Sequence, residues 1–151
     1  MAHSDFDKVD FTAVKGVISS GTALVKEIGE EWEDRTSSKI YEGYGLSETT
    51  TVLACNSPDA CRFGTVGRAM MGSQIKLIYE HGGTNENGTS GETCVRGRQV
   101  MDGYWQRPEA TDEAIDALGC FHAGDVGVLD EDGYARIVDR LKDMVIVSGF
   151  N

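Results

Sequence analysis

The chain has 151 residues, of which 40% are hydrophobic and 26% charged, and its formal net charge is -11. These fractions are typical of globular proteins, and the length is sufficient to bury a hydrophobic core. Nucleic-acid binding requires basic residues that displace condensed counterions from phosphates, so the acidic balance argues against it. We find no apolar run of about 18 residues and no basic region followed by an apolar stretch. The sequence therefore predicts neither a membrane span nor a signal peptide, and we expect a cytoplasmic protein.

The first third of the chain has the pattern of a strand–helix–strand unit. Residues 11–19 alternate small and apolar side chains and end in a polar turn, which indicates a strand. Residues 23–32 repeat apolar positions at four-residue spacing, as one face of a helix does. Residues 39–44 predict a second strand that opens into a glycine-rich loop. A parallel sheet is expected, because a helix that crosses between two strands usually joins parallel neighbours.

From residue 63 onward, short apolar runs alternate with glycine-rich turns, a pattern typical of antiparallel sheets and small barrels. Residues 130–133 give the clearest hairpin connection, with Gly133 available for a positive φ. Residues 108–115 predict a short helix that begins at a proline. The fold class is therefore α/β followed by mainly β, a strand–helix–strand unit and then a small antiparallel β-barrel-like subdomain. The strand candidates in this part are residues 74–79, 92–96, 127–129 and 134–138.

The four cysteines, Cys55, Cys61, Cys94 and Cys120, are too sparse for a small disulfide scaffold. They also lack the paired two-residue spacings of structural zinc sites. We therefore expect free thiols.

A glycine-flanked loop at residues 43–49 carries three side chains with useful chemistry. Gly43 and Gly45 allow the backbone to bend tightly around Tyr44, whose ring can lie against a heterocycle. Ser47 offers a hydroxyl to a phosphate, and Glu48 offers a carboxylate oxygen to Mg²⁺. The alternative is a turn in which Ser47 and Glu48 only cap the next element.

A second candidate pair lies on the two strands of the last hairpin. Asp125 can accept hydrogen bonds from both hydroxyls of a ribose, and Arg140 can add donors to the same sugar. The alternative is a surface ion pair between hairpin neighbours, which would contribute about 0–1 kcal/mol. His122 has no nucleophile pattern near it, which favours a structural role.

Several dispersed motifs resemble, in type and in their order along the chain, those of the adenylate-forming superfamily of acyl-CoA synthetases, peptide-synthetase adenylation domains and beetle luciferases. Residues 44–48 are similar to its Tyr-Gly-x-Thr-Glu motif, with serine in place of threonine. Residues 122–125 match its Thr-Gly-Asp motif except at Ala123. Residues 139–143 resemble its hinge segment. Residues 20–24, 91–97 and 101–105 are similar to its small-residue turn, its Gly-Glu-Leu motif and its Gly-Tyr motif. Residues 103–111 and the Ser-Gly-Phe-Asn ending resemble long-chain fatty-acyl-CoA synthetases most.

The resemblance implies a role for each candidate residue. Tyr44 would contact adenine, Ser47 a phosphate and Glu48 the Mg²⁺ ion. Asp125 and Arg140 would bind the ribose. Gly43 and Gly45 of the loop, and the turn at Gly21, Thr22 and Ala23, would complete the nucleotide site, while Lys142 would be the hinge. ATP and Mg²⁺ would be needed, with coenzyme A and a fatty acid as the other substrates.

The same resemblance implies a fragment. Residues 1–60 would be the end of an α/β subdomain, residues 61–140 a β-barrel-like subdomain, and residues 141–151 the hinge with the truncated start of a C-terminal domain. The family's phosphate loop would lie upstream of this sequence and its catalytic lysine beyond Asn151. Because stabilisation of developing phosphate charge is usually the largest catalytic contribution, we expect the isolated chain to be inactive.

Three alternatives stay open at this point. The parent enzyme could act on aryl or short acids, or load a carrier protein, since pocket shape sets the choice of acid. The chain could be a non-catalytic nucleotide-binding or interaction module. It could also be an acidic, β-rich interaction domain with coincidental motifs. Oligomeric state and peripheral membrane association of the parent are left undecided by the sequence.

Overall fold

The computed structural model describes residues 1, 3–50, 52–79 and 88–141, which form two four-stranded sheets. The first sheet has the order β1-β2-β3-β4, and helix α1 connects β1 to β2. The second sheet has the order β5-β6-β7-β8, and helix α2 lies between β6 and β7. The strands of the first sheet are β1 (Val17–Ser20), β2 (Ile40–Gly45), β3 (Val52–Cys55) and β4 (Arg68–Ala69), and α1 is Lys26–Thr36. Those of the second are β5 (Ser73–Ile78), β6 (Ser90–Gly97), β7 (Phe121–Leu129) and β8 (Ala135–Arg140), and α2 is Pro108–Ala114.

The predicted strand–helix–strand unit is present, with β1 and β2 parallel in a register that pairs Val17 with Ile40. Its first strand begins at Val17, and the prediction of a start at residue 11 is wrong. Phe11 packs instead against Phe6 and Trp32, with ring centroids 5.0 and 5.4 Å apart, so the aromatic residue belongs to a cluster outside the sheet. The helix is shifted toward the C-terminus and ends at Thr36, and the following residue, Ser37, closes the last turn with a left-handed φ of 57°.

The second sheet is antiparallel throughout, as its sequence pattern predicts. Gly133 adopts the expected positive φ, 81°, in the turn between β7 and β8. Within the described residues the sheet is open, with β5 and β8 at its edges, and does not close into a barrel. Strand β4 pairs with β3, so the first sheet extends past residue 60. The domain limits drawn from the sequence stay predictions.

One core joins the two sheets. Leu53 from the first sheet and Val95 from the second are completely buried and pack with Tyr44. Burial of such a side chain contributes about 1.5–3 kcal/mol. Two backbone hydrogen bonds of 2.8 Å tie the sheets together next to this core, from Val66 N to Ala135 O and from Ala135 N to Gly67 O. The end of β2 is thereby fixed against β7 and β8, which is where the candidate site lies.

The expectation of four free thiols is wrong for one pair. Cys94 on β6 and Cys120 just before β7 are joined by a disulfide with their Cα atoms 5.9 Å apart, whereas Cys55 and Cys61 are free. The two partners are 26 residues apart in sequence, and only the β6–β7 pairing makes them neighbours. No helix in the described part of the chain is long and apolar enough to cross a membrane.

Candidate nucleotide-binding site

A hydrogen-bonded network links three of the predicted site residues. The Tyr44 hydroxyl donates to Asp125 Oδ2 over 2.6 Å, and Arg140 Nε donates to Asp125 Oδ1 over 3.0 Å. Antiparallel pairing sets this arrangement, because Asp125 on β7 lies directly opposite Arg140 on β8. A carboxylate has about four acceptor positions, so the two it uses here leave others for a ligand's hydroxyls.

The burial of Asp125 distinguishes this network from an ion pair between two exposed side chains. The Asp125 side chain is 4% exposed, whereas that of Arg140 is 63% exposed. A buried carboxylate is tolerated only when it is paired and hydrogen-bonded, and here Tyr44 and Arg140 meet that requirement. Burial, and then the Asp125 carboxylate, raise the pKa of Tyr44, so this hydroxyl remains a hydrogen-bond donor.

The turn after β2 presents the side chains of Ser47 and Glu48, and another residue supplies the side-chain cap. Residues Ser47–Thr49 form a short 3-10 helix. Its start is fixed by Thr49, whose hydroxyl accepts from Leu46 N over 3.1 Å and donates to Leu46 O over 2.9 Å. The sequence allowed Ser47 and Glu48 to cap this element, but in the structure Thr49 caps it. Ser47 is exposed and Glu48 half-buried.

Glu48 is held by a tyrosine that sequence reasoning assigned to a motif but not to the site. The Tyr104 hydroxyl donates to Glu48 Oε1 over 3.0 Å, and Met101 N donates to Glu48 O over 2.8 Å. Tyr104 is itself anchored to α2, because its N–H donates to Thr111 Oγ1 over 2.9 Å. Partial burial, and then Glu48, raise the pKa of Tyr104. Because the two residues are 56 positions apart in sequence, no local sequence pattern predicts this contact.

These groups face one open cleft of about 1080 Å³. Predicted site residues on its lining are Gly21, Gly45, Ser47, Glu48, Asp125 and Arg140. Tyr44 lies behind Asp125, and Gly43 pairs with Cys55 inside the first sheet. Thr22 and Ala23 are exposed and outside the cleft lining, and Lys142 lies outside the described residues. A smaller cavity of about 570 Å³, between residues such as Ile75 and Gly133, contains none of the predicted residues.

The cleft wall carries three further polar residues that the sequence did not predict as site residues, Arg107, His122 and Glu92. Arg107 lies just before α2 and lines the cleft. His122 places Nδ1 2.9 Å from Glu92 Oε2 across the β6–β7 pairing, and both residues line the same cleft. The sequence feature that could have pointed to Arg107 is its position within residues 103–111, which resemble long-chain fatty-acyl-CoA synthetases.

The charge of the cleft determines which ligands it suits. Its lining carries four carboxylates, from Glu48, Glu92, Glu113 and Asp125, and two guanidinium groups, from Arg107 and Arg140. A bare polyphosphate would be repelled by that excess of negative charge. A divalent cation that bridges carboxylate and phosphate oxygens would remove the repulsion. Glu48 fits this need, since its carboxylate faces the cleft and keeps acceptor positions beyond the one used by Tyr104.

Comparison with known proteins identifies relatives along the whole chain. The family described as "AMP-binding enzyme" matches residues 1–105. A long-chain-fatty-acid–CoA ligase of Salmonella typhimurium is 41% identical over 99% of this chain, which spans 27% of that relative's length.

Two solved structures share its fold and are each 26% identical to it. The anthranilate CoA ligase AuaEII in complex with anthranoyl-AMP has a TM-score of 0.88 over 98% of this chain and 28% of its own. The O-succinylbenzoate coenzyme A synthetase of Bacillus subtilis, in complex with ATP and magnesium, has a TM-score of 0.83 over 93% of this chain and 29% of its own. The family match covers more than half of the sequence, and the chain therefore belongs to the family of AMP-binding enzymes.

Proposed function

We propose that this chain is the adenine-, ribose- and Mg²⁺-binding part of an AMP-forming ligase that joins a fatty acid to coenzyme A. In such a ligase the acid's carboxylate attacks the α-phosphate of ATP and releases pyrophosphate. The thiol of coenzyme A then attacks the acyl-adenylate carbonyl and releases AMP. The chain corresponds to about a quarter of the length of the fatty-acid ligase it matches, so the complete activity is assigned to the longer protein.

The observation that carries this proposal is the Tyr44–Asp125–Arg140 network on the wall of a cleft that also contains Glu48. Asp125 would accept from the ribose hydroxyls and Arg140 would donate to the same sugar. Tyr44 lies behind Asp125 and outside the cleft lining, so its hydroxyl would hold that carboxylate in place for the ribose. Ser47 would donate to a phosphate.

Mg²⁺ would be held by Glu48 and would neutralise phosphate charge when bound. A related structure in complex with ATP and magnesium supports this choice of cation. The tyrosine hydroxyl at Tyr104 restricts Glu48 to one orientation before the cation arrives, which lowers the entropic cost of binding it.

Fatty acids are favoured over aryl acids by the comparisons. Identity to the long-chain-fatty-acid ligase is 41%, against 33% to a 4-coumarate–CoA ligase of Narcissus pseudonarcissus. An aryl- or short-acid ligase and a carrier-loading enzyme stay as alternatives. We also propose a cytoplasmic location, with peripheral membrane contact of the parent as a means of reaching lipid substrates.

The test is acyl-CoA synthesis by the longer ligase that carries this sequence, with acids of different chain length and an aryl acid compared at equal concentration. We expect the highest kcat/KM for a long-chain fatty acid. A preference for the aryl acid would move the assignment to the alternative. The purified 151 residues should produce no acyl-CoA, and measurable product from them would contradict the proposed division of the site.

A further inference from the structure

A second chemically active pair lies beside the cleft and takes no part in the proposed reaction. Cys94 is completely buried on β6, and Cys120, which is 8% exposed, immediately precedes β7. Their Cα separation of 5.9 Å is in the range that a disulfide spans without movement of the backbone. The other two cysteines are free in the same structure.

A rigid turn holds Cys120 in this position. Asp116 N donates to Cys120 O over 3.0 Å, and Gly119 N donates to Asp116 O over 2.9 Å. The Asp116 carboxylate accepts from the N–H groups of Leu118 and Cys120, each over 2.8 Å. These bonds do not involve either sulfur, so they hold the Cys120 sulfur near Cys94 whether or not the two are bonded.

We infer that Cys94 and Cys120 form a reversible oxidation site, at which a low-molecular-weight disulfide such as oxidised glutathione closes a bond between β6 and the turn before β7. Cys120 reacts first, because it is the partner with accessible surface. Its thiolate attacks one glutathione sulfur and expels one glutathione thiolate. The Cys94 thiolate then attacks the Cys120 sulfur of the mixed disulfide and expels the second glutathione. Two protein thiols are oxidised, one glutathione disulfide is reduced to two glutathione thiols, and the two expelled thiolates take up the two protons that the protein thiols lose.

The bond lies where it can influence the cleft. Cys94 is paired across the sheet with His122, and both His122 and its neighbour Phe121 line the cleft. Asp125 follows on the same strand. Closing the bond fixes the start of β7 against β6, so oxidation should make this segment open less often. This inference does not depend on the proposed ligase activity.

A soft metal ion is the competing use of the same thiolates. The ligand atoms of Cys94, Asp116 and Cys120 lie within 4.8 Å of one another, and two thiolates with a carboxylate suit Zn²⁺. A bound zinc ion would protect both thiols from the oxidant. The experiment therefore includes Zn²⁺ as a separate arm.

The test uses the chain with Cys55→Ser and Cys61→Ser, so that only the pair in question can react. The reduced protein is treated with oxidised glutathione, quenched in acid, denatured and alkylated, and its mass is measured by mass spectrometry. We expect no alkylated thiol, no glutathione adduct, and recovery of both thiols after dithiothreitol. The oxidised form should have a melting temperature higher by about 5–10 °C. Amide exchange of residues 121–125 should be at least about tenfold slower.

Two further variants make the result decisive. Adding Cys94→Ser should leave Cys120 as a stable mixed disulfide with glutathione, whereas adding Cys120→Ser should leave Cys94 largely unmodified. Two alkylated thiols after oxidation, or one glutathione on each cysteine, would overturn the inference. So would stoichiometric Zn²⁺ that protects both thiols of the reduced protein. If the serine variants do not fold, the wild-type chain decides the question through the presence or absence of a peptide that links Cys94 to Cys120.

Discussion

Asp125 is the residue on which the nucleotide-binding proposal depends most. Its carboxylate is buried, yet it keeps acceptor positions toward the cleft after bonding to Tyr44 and Arg140. A buried ion pair that serves only stability can often be replaced by two apolar side chains with little loss in the free energy of unfolding. Its position on the wall of an open cleft instead supports the proposal that Asp125 accepts hydrogen bonds from a ligand.

Replacement of Asp125 by asparagine should weaken binding of a non-hydrolysable acyl-adenylate by about 10- to 100-fold, because hydrogen bonds to a charged group contribute about 1.5–3 kcal/mol. Isothermal titration calorimetry measures this loss. The matched control is Glu131→Gln in the exposed β7–β8 turn, which changes the net charge equally and should leave affinity unaltered. Tyr44→Phe keeps the Asp125 carboxylate but removes one of its hydrogen-bond donors. Comparing its stability and its affinity with those of Asp125→Asn separates the effect on ligand binding from the effect on folding. An equal loss of affinity in Asp125→Asn and Glu131→Gln would contradict the assigned role.

Tyr104 should act on the cation through Glu48. Removing its hydroxyl in Tyr104→Phe leaves Glu48 free to adopt other orientations, so the Mg²⁺ concentration that gives half-maximal nucleotide binding should rise about three- to tenfold. A titration with Mg²⁺ at fixed ATP checks this. Trp105→Phe changes a neighbouring aromatic side chain that is 87% exposed and should have no effect. An unchanged Mg²⁺ requirement in Tyr104→Phe would leave Tyr104 with a purely structural role.

At the scale of elements, the candidate site lies where the two sheets meet. Gly67 lies at that contact, where its carbonyl accepts from Ala135. Its φ is +80°, and a Cβ placed on it would lie 2.1 Å from the Cys55 carbonyl carbon. No side chain can be accommodated there without moving β3 away from β8.

Alanine at position 67 should therefore lower the free energy of unfolding by about 3 kcal/mol or more, the range of substitutions that force backbone strain and displacement together. Gly64→Ala is the control. Gly64 has a similar φ of +75° but open space around it, so it should lose only about 1–2 kcal/mol. Chemical denaturation of the two variants measures the difference. An equal loss of unfolding free energy in the two variants would mean that the backbone at Gly67 is not packed closely against β3.

The elements that the sequence predicted correctly are those fixed by local signals. The turn at Gly133, the proline at the start of α2 and the parallel β1–β2 unit all depend on short-range chemistry or a well-established connection rule. The start of β1 was missed because Phe11 joins an aromatic cluster, a tertiary preference that alternation does not reveal.

In the candidate site too, local sequence signals predict some contacts, whereas contacts between distant segments cannot be predicted from them. Asp125 and Arg140 could be paired from the hairpin, since both flank its turn. The contact of Tyr104 with Glu48 and the bond between Cys94 and Cys120 arise from pairing of distant segments, and no spacing rule predicts them.

For the whole molecule, the net charge of -11 means that ATP must approach a surface of the same sign. Mg²⁺ should therefore raise the affinity of the chain for ATP at least about tenfold relative to ATP with a chelator. Glu48→Gln should remove most of that difference, whereas Glu109→Gln on the exposed side of α2 should not. Calorimetry with and without the chelator gives the comparison. Equal affinities in the unsubstituted chain would mean that the cleft binds nucleotide without a cation.

The most direct test of the nucleotide-binding claim is a backbone NMR titration of the chain with a non-hydrolysable acyl-adenylate analogue. The predicted result is saturable shifts of the amides of residues 44–48, of Asp125 and of Arg140, which line or support one cleft. The amides around Ile75 and Gly133, at the smaller cavity, should stay unchanged. Shifts confined to the smaller cavity, or none at millimolar ligand, would contradict the account.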